Sequence, residues 1–150
     1  MNELLETLER TKIETSNYFD LSDDLLNQSY EPDKWSVRYL LHHLADAETV
    51  LCERIKRVIS EPRQVLWAFD QSLWAEKLDY SQVPLILSKN IYLSVRETII
   101  YYARIHYNNG ENLEYIHSET GIRTLKDEFE KVAWHNEHHL GQIKKAISGF

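Results

Sequence analysis

The sequence predicts an all-α fold, a four-helix bundle with one long crossover connection. That expectation rests on the scarcity of Gly and Pro, four and three in 150 residues. It rests also on apolar residues recurring at three- and four-residue spacing, and on breakers that cut the chain into four long periodic segments. Hydrophobic residues make up 43% of the chain, enough to build the core of one domain over residues 1–150.

The first helix is expected from about Asn2 to Tyr18, with Leu4, Leu5, Leu8 and Thr15 facing inward. After a linker ending at Glu31-Pro32-Asp33, the second opens at Ser36, a good N-cap, with Trp35 just outside it. It continues through Leu40, His43, Leu44, Ala47, Leu51, Ile55 and Val58 to the stop at Glu61-Pro62. Residues 62–80 form the crossover, rich in aromatics (Trp67, Phe69, Trp74, Tyr80), with room for about one short helix. The third helix is expected to begin near Ser81, with Pro84 in its first turn, and to end at about Tyr107 before Asn108-Asn109-Gly110. Ile91, Val95, Ile99 and Tyr102 mark its buried side. An irregular stretch leads to Gly121, and Thr124 with Asp127 forms a variant capping box for a fourth helix reaching about Ile147.

The formal net charge is -7 and no Lys/Arg block occurs, so no footprint for nucleic acid or anionic lipid is present. No window approaches the roughly 18 apolar residues of a membrane span. The opening MNELLETLERTK lacks the basic and apolar regions of a secretory signal. A lone Cys52 suits a reducing compartment, and the expected location is the cytoplasm.

The histidines carry the chemistry. Of seven in the chain, His42 and His43 fall in LLHHLADAE, and His135, His138 and His139 in WHNEHHLGQI. Residues four apart on a helix differ by about 40° in direction, so His135 and His139 can present two imidazoles to one ion. Their stripe, with Val132, Ile143 and Ala146, is otherwise apolar and should face the interior. His43 lies on the inward stripe of Leu40, Ala47 and Leu51 and can supply a third ligand. His42 and His138 are rotated away and are read as supporting or surface groups. Three neutral imidazoles suit zinc, nickel, copper or iron and leave a position open for water or substrate.

A metalloprotease H-E-x-x-H is excluded, because Asn136 follows His135 and Glu137 points about 200° away from it. Cys52 lies about 180° round its helix from His43 and is assigned to packing. Asp46 is a candidate acceptor for an imidazole N–H, and Gln142 a candidate neighbour of a fourth ligand. Trp67, Phe69 and Trp74 are candidates for lining a pocket over the open position. Trp35 and Trp134 are read as core.

The runs KWSVRYLLHHLADAE, AFDQSLWAE and TLKDEFEKVAWHNEHHLGQI, in this order and at this spacing, resemble the DinB/YfiT-like family, whose members are four-helix bundles. The resemblance covers nearly the whole chain. It implies metal ligands at His43, His135 and His139, one divalent ion per chain, zinc or nickel, and a homodimer. The wider superfamily includes thiol-dependent S-transferases and metal-dependent hydrolases, so the expected function is a metal-dependent enzyme that activates a water or a thiol against a small-molecule substrate. A low-molecular-weight thiol would then be the cosubstrate. The chain lacks the C-terminal extension of some larger thiol-dependent isomerases. The alternative is a non-catalytic module that binds a metal or a small ligand.

Overall fold

The computed structural model describes residues 1–149. In chain order it comprises α1 (Asn2–Tyr18), the short α2 (Asp23–Leu26), α3 (Val37–Ser60), β1 (Val65–Leu66), α4 (Gln71–Lys77) and α5 (Leu85–His106). A 3₁₀ turn (Tyr107–Asn112), β2 (Glu114–His117), β3 (Gly121–Thr124) and α6 (Leu125–Ser148) follow. Local chemistry sets most of these boundaries. Ser36 accepts from the Tyr39 N–H at 3.4 Å to start α3, and Asp70 accepts from Leu73 N–H at 2.9 Å to start α4. The capping box forms: Asp127 N–H donates to Thr124 Oγ1 at 3.2 Å while Thr124 N–H donates to Asp127 Oδ2 at 2.8 Å. At the far end of α6, Gly149 takes φ 63°, the left-handed cap that glycine adopts without a Cβ clash.

Two expectations about α5 are corrected. It starts at Leu85 rather than near Ser81, because Pro84 biases Val83 away from helical geometry and itself serves as the N-cap. Its buried residues are Ser88, Tyr92, Arg96, Ile99, Ile100 and Ala103, while Ile91 is 44% exposed. The inner face is thus rotated toward a residue that apolar periodicity scores as outward, Arg96.

A small sheet, in the order β1-β2-β3, joins the crossover, which carries β1, to the irregular stretch before α6, which carries β2 and β3. β2 pairs antiparallel with β3 and parallel with β1, with Val65 opposite Ile116. Gly121, at φ 79°, closes the hairpin turn. The Ser118 hydroxyl accepts from Ala68 N–H at 2.9 Å, which fastens the crossover to the hairpin.

Neighbouring helices have fixed senses. Pairs His42–Ser88 and Glu48–Arg96 run α3 and α5 parallel. Pairs His43–His139 and Arg54–Glu128 run α3 and α6 antiparallel. On the other side, Lys12–Glu97 and Lys89–Asp20 run α1 and α5 antiparallel, while Arg10–Glu137 and Lys144–Glu14 run α1 and α6 parallel. The order is up-down-down-up. Parallel neighbours α3 and α5 cannot be joined by a short turn, and the long crossover is the chain's way back along the bundle.

The core has two apolar halves. One gathers Leu8, Leu51, Ile55, Ile99, Ile100, Phe129 and Val132, and the other Phe19, Val37, Leu40, Leu41, Leu44, Tyr92 and Ile143. Between them lies a polar layer of Thr11, Thr15, Glu48, Arg96 and Asn136, all fully buried. Arg96 on α5 pairs with Glu48 on α3. It also donates to Leu8 O (3.0 Å) and Thr11 Oγ1 (2.7 Å) on α1, and to Asn136 Oδ1 (2.7 Å) on α6. Replacing Glu48 by Gln leaves a buried guanidinium uncompensated and is expected to cost about 3–5 kcal/mol. A fall in Tm on the order of 10 °C, read by calorimetry, would show it. The double replacement Glu48→Leu with Arg96→Met should cost less than the single change.

Candidate metal centre

His135 and His139 stand one turn apart on α6, and His43 reaches them from the antiparallel α3. His43 Nε2 lies 3.0 Å from His135 Nε2, which lies 3.1 Å from His139 Nε2. The rings meet edge to face, with interplanar angles of 68°, 82° and 80°, so the nitrogens converge rather than the ring faces. Ligand nitrogens around a tetrahedral ion at 2.0–2.1 Å sit about 3.3 Å apart, so the observed spacing is within a few tenths of an ångström of that geometry. Among the described residues no fourth His, Cys, Asp or Glu joins the set.

Electrostatics favour ligation. Burial, with further repulsion from neighbouring imidazoles, pushes His43 down to about 3 and His135 to about 2. Burial also lowers His139 to about 4, against the opposing effect of its hydrogen bond to Gln142 Oε1. All three are neutral at pH 7, so their lone pairs face no competition from protons. In a ring that ligates through Nε2 the proton sits on Nδ1. For His139 that proton goes to Gln142 Oε1 at 2.7 Å. The Nδ1 atoms of His43 and His135 are buried without a partner among the described residues. Packing holds His43 instead: Trp35 lies 5.2 Å from its ring and Phe69 stacks at 6.4 Å.

The surrounding residues divide into those the structure brings to the trio and those it does not. Gln142 is at the trio, as the partner of His139. Asp46 forms no hydrogen bond with an imidazole among the described residues; it accepts from the Tyr80 hydroxyl and so anchors the crossover to α3. His42 is buried and bonds Ser88 Oγ at 2.7 Å, directed at α5. His138 is on the surface, stacked on Trp134. The reading of Trp134 as core is corrected, since that ring is 62% exposed and lies outside the contact faces of α6. Trp35 is half-buried, packs against the core as expected, and with its other side forms a wall of the site. Phe69 and Trp74 pack together at 4.9 Å over His43. Trp67 is 78% exposed and offers only its carbonyl, to Arg54. Asn136 is absorbed into the Arg96 network and Glu137 pairs with Arg10, so neither serves as a base at the trio. Cys52 is buried and its thiol is raised, chiefly by burial, which suits packing.

Two clefts reach the histidines. One, of about 270 Å³, is bordered by Tyr30, Asp33, Lys34, Trp35, Gln71, Ser72, His138, His139 and Gln142. The other, of about 130 Å³, is bordered by Ala47, Leu51, Arg54, Ala68, Phe69, His117, Glu119, Lys131 and His135. Of the second set, Arg54, His117, Glu119 and Lys131 escaped sequence reasoning. Lys131 could have been found, one turn before His135 on the same stripe. His117 and Glu119 could not, because the hairpin alone carries them there. No helix of the described residues is long and apolar enough to cross a membrane.

Comparison with known proteins agrees with this architecture. A protein of Oceanobacillus iheyensis named "putative metal-dependent hydrolase" is 30% identical over 144 residues, 96% of this chain and 82% of its own. One of Halalkalibacterium halodurans with the same designation is 27% identical over 122 residues, 81% of this chain and 71% of its own. The fold matches that of YfiT from Bacillus subtilis, described as a "probable metal-dependent hydrolase with an unusual four-helix bundle topology". The TM-score is 0.87 at 22% identity, over 97% of this chain and 84% of that one. The sequence model of the DinB superfamily matches residues 7–143, and the chain belongs to that family.

Proposed function

We propose that His43, His135 and His139 hold one divalent ion, zinc or nickel, through their Nε2 atoms, and that the protein is a metal-dependent enzyme acting on a small molecule. The observation that carries this reading is the convergence of three neutral imidazoles, His43 and His139 buried and His135 half-buried, with no His, Cys, Asp or Glu among the described residues to fill a fourth position. When bound, such an ion supplies Lewis acidity that lowers the pKa of a water or thiol at neutral pH. The chain does the rest. Trp35 and Phe69 flank His43 and keep bulk water from it, Gln142 fixes the His139 tautomer, and the two clefts admit reactants.

Hydrolysis is the first reading, supported by the designation of the relatives. Transfer to a thiol is the second, favoured by the donor set itself. Three imidazoles neutralise none of the ion's charge, and no carboxylate among the described residues hydrogen-bonds within the trio, a setting that favours an anionic sulfur.

Elemental analysis should find about one divalent ion per chain in the purified protein and a loss of it in His139→Ala. Full metal content in that variant would remove the assignment. Gln142→Ala keeps all three ligands but frees His139 Nδ1–H, and a competition titration with a chromophoric chelator should show affinity weakened roughly 10–100-fold. Acid acts through the same imidazoles. Their folded values lie below the ordinary His value of 6.5, so below pH 6.5 the unfolded chain binds more protons, and their contribution is complete above that pH and lost as pH falls. Denaturant titrations of metal-free protein should lose on the order of 1–2 kcal/mol per buried imidazole between pH 7 and pH 5. A midpoint constant over that range would contradict their being held neutral.

A further inference from the structure

We infer that the cleft between α3, α6 and the β2–β3 hairpin is a subsite for a small oxyanion, the carboxylate or phosphate end of the substrate, bound by Arg54, Lys131 and His117 beside His135. Only the assignment of this anion to a substrate rests on the metal reading above.

Arg54 carries the argument furthest. It is 3% exposed and its guanidinium has five donors to satisfy. Nη2 donates to Trp67 O at 2.8 Å, but among the described residues Nε is buried without a partner, and the one carboxylate that pairs with Arg54, that of Glu128, is 4.0 Å from Nη1. Glu128 Oε1 accepts from the Tyr115 hydroxyl, while Oε2, the oxygen nearer Arg54, makes no hydrogen bond among the described residues. A buried cation with unmet donors is costly, and an anion arriving in the cleft supplies the missing acceptors.

Lys131 borders the same cleft and forms no ion pair among the described residues. His117 contributes a donor whose tautomer is fixed by chemistry. The backbone N–H groups of Glu119 and Thr120 both donate to its Nδ1, at 3.2 and 3.3 Å, so in the neutral ring the proton sits on Nε2. Charge in the neighbourhood is net positive: Arg54, Lys131 and Arg123 stand against Glu128 and the exposed Glu119. A cleft of about 130 Å³ admits a compact group and not a whole ligand, so the bulk of the molecule would lie toward His135 and Phe69.

The test is calorimetric titration of metal-loaded and chelator-stripped protein with inorganic phosphate, acetate and the neutral isostere acetamide. At least one oxyanion should bind saturably to both forms while acetamide does not, and the preference between phosphate and acetate names the group. Arg54→Met removes a buried charge and can unfold the protein, so Lys131 bears the test. Lys131→Met should weaken oxyanion binding roughly tenfold or more with metal content unchanged, and Lys131→Arg should restore it to within a few-fold. The inference is overturned if neither oxyanion binds, if Lys131→Met binds as wild type, or if binding needs the metal and ignores Lys131. Elemental analysis of the same samples reads the metal assignment separately. A chain that holds no ion yet takes phosphate through Lys131 keeps the subsite and loses the metal centre.

Discussion

Arg96 lies at the centre of the bundle with no exposed surface and bonds to each of the other three long helices: to Glu48 on α3, to Leu8 O and Thr11 on α1, and to Asn136 on α6. Asn136 extends the network through Tyr92 and Thr15. Apolar side chains tolerate a helix sliding by a turn, since most neighbours at the new register are also apolar. A guanidinium with its acceptors spread over three helices does not, because any slip leaves donors or a carboxylate buried and unpaired. One charged residue therefore constrains the axial register of the whole bundle.

That constraint reaches the histidines through the backbone. Asn136 is the residue after His135, and Glu48 is just over one turn beyond His43. Locking these two against Arg96 sets α3 and α6 to a common level, and the Nε2 atoms then meet at 3.0 and 3.1 Å. The polar layer and the trio share one stratum between the two apolar halves of the core. The crossover and hairpin close that stratum from outside, since Tyr80 is tied to Asp46 and Ala68 to Ser118, which leaves Phe69 over His43.

Much of this was legible in the sequence because it is local. Caps at Ser36 and Thr124, the proline stop after Glu61 and the four-residue spacing of His135 and His139 each act within a turn or two of chain. What was not legible depends on partners remote in sequence. The inner face of α5 was misread through Ile91 because hydrophobic periodicity has no way to score an arginine whose acceptors lie on three other helices. Trp134 was misread for the converse reason: an aromatic ring on α6 remains outside wherever no neighbouring helix covers it. The hairpin was missed because its strands are four residues each, too short for alternation to register. With it went His117 and Glu119, and the cleft they complete.

The up-down-down-up path also governs how the chain can fold. α1, the first of the described helices, packs against α5 and α6, and α6 follows the others along the chain, so the α1–α6 contacts that close the bundle join segments more than a hundred residues apart. Contacts of that separation are slow to form, because loop-closure entropy must be overcome before they return any stabilisation. During synthesis α1 and α3 emerge with Thr11, Thr15 and Glu48 facing no partner, and half of the polar layer waits for Arg96 and Asn136. A nascent chain cannot complete that layer until α6 has left the ribosome. Topology thus ties the histidine trio to the arrival of α6, which carries two of its three members.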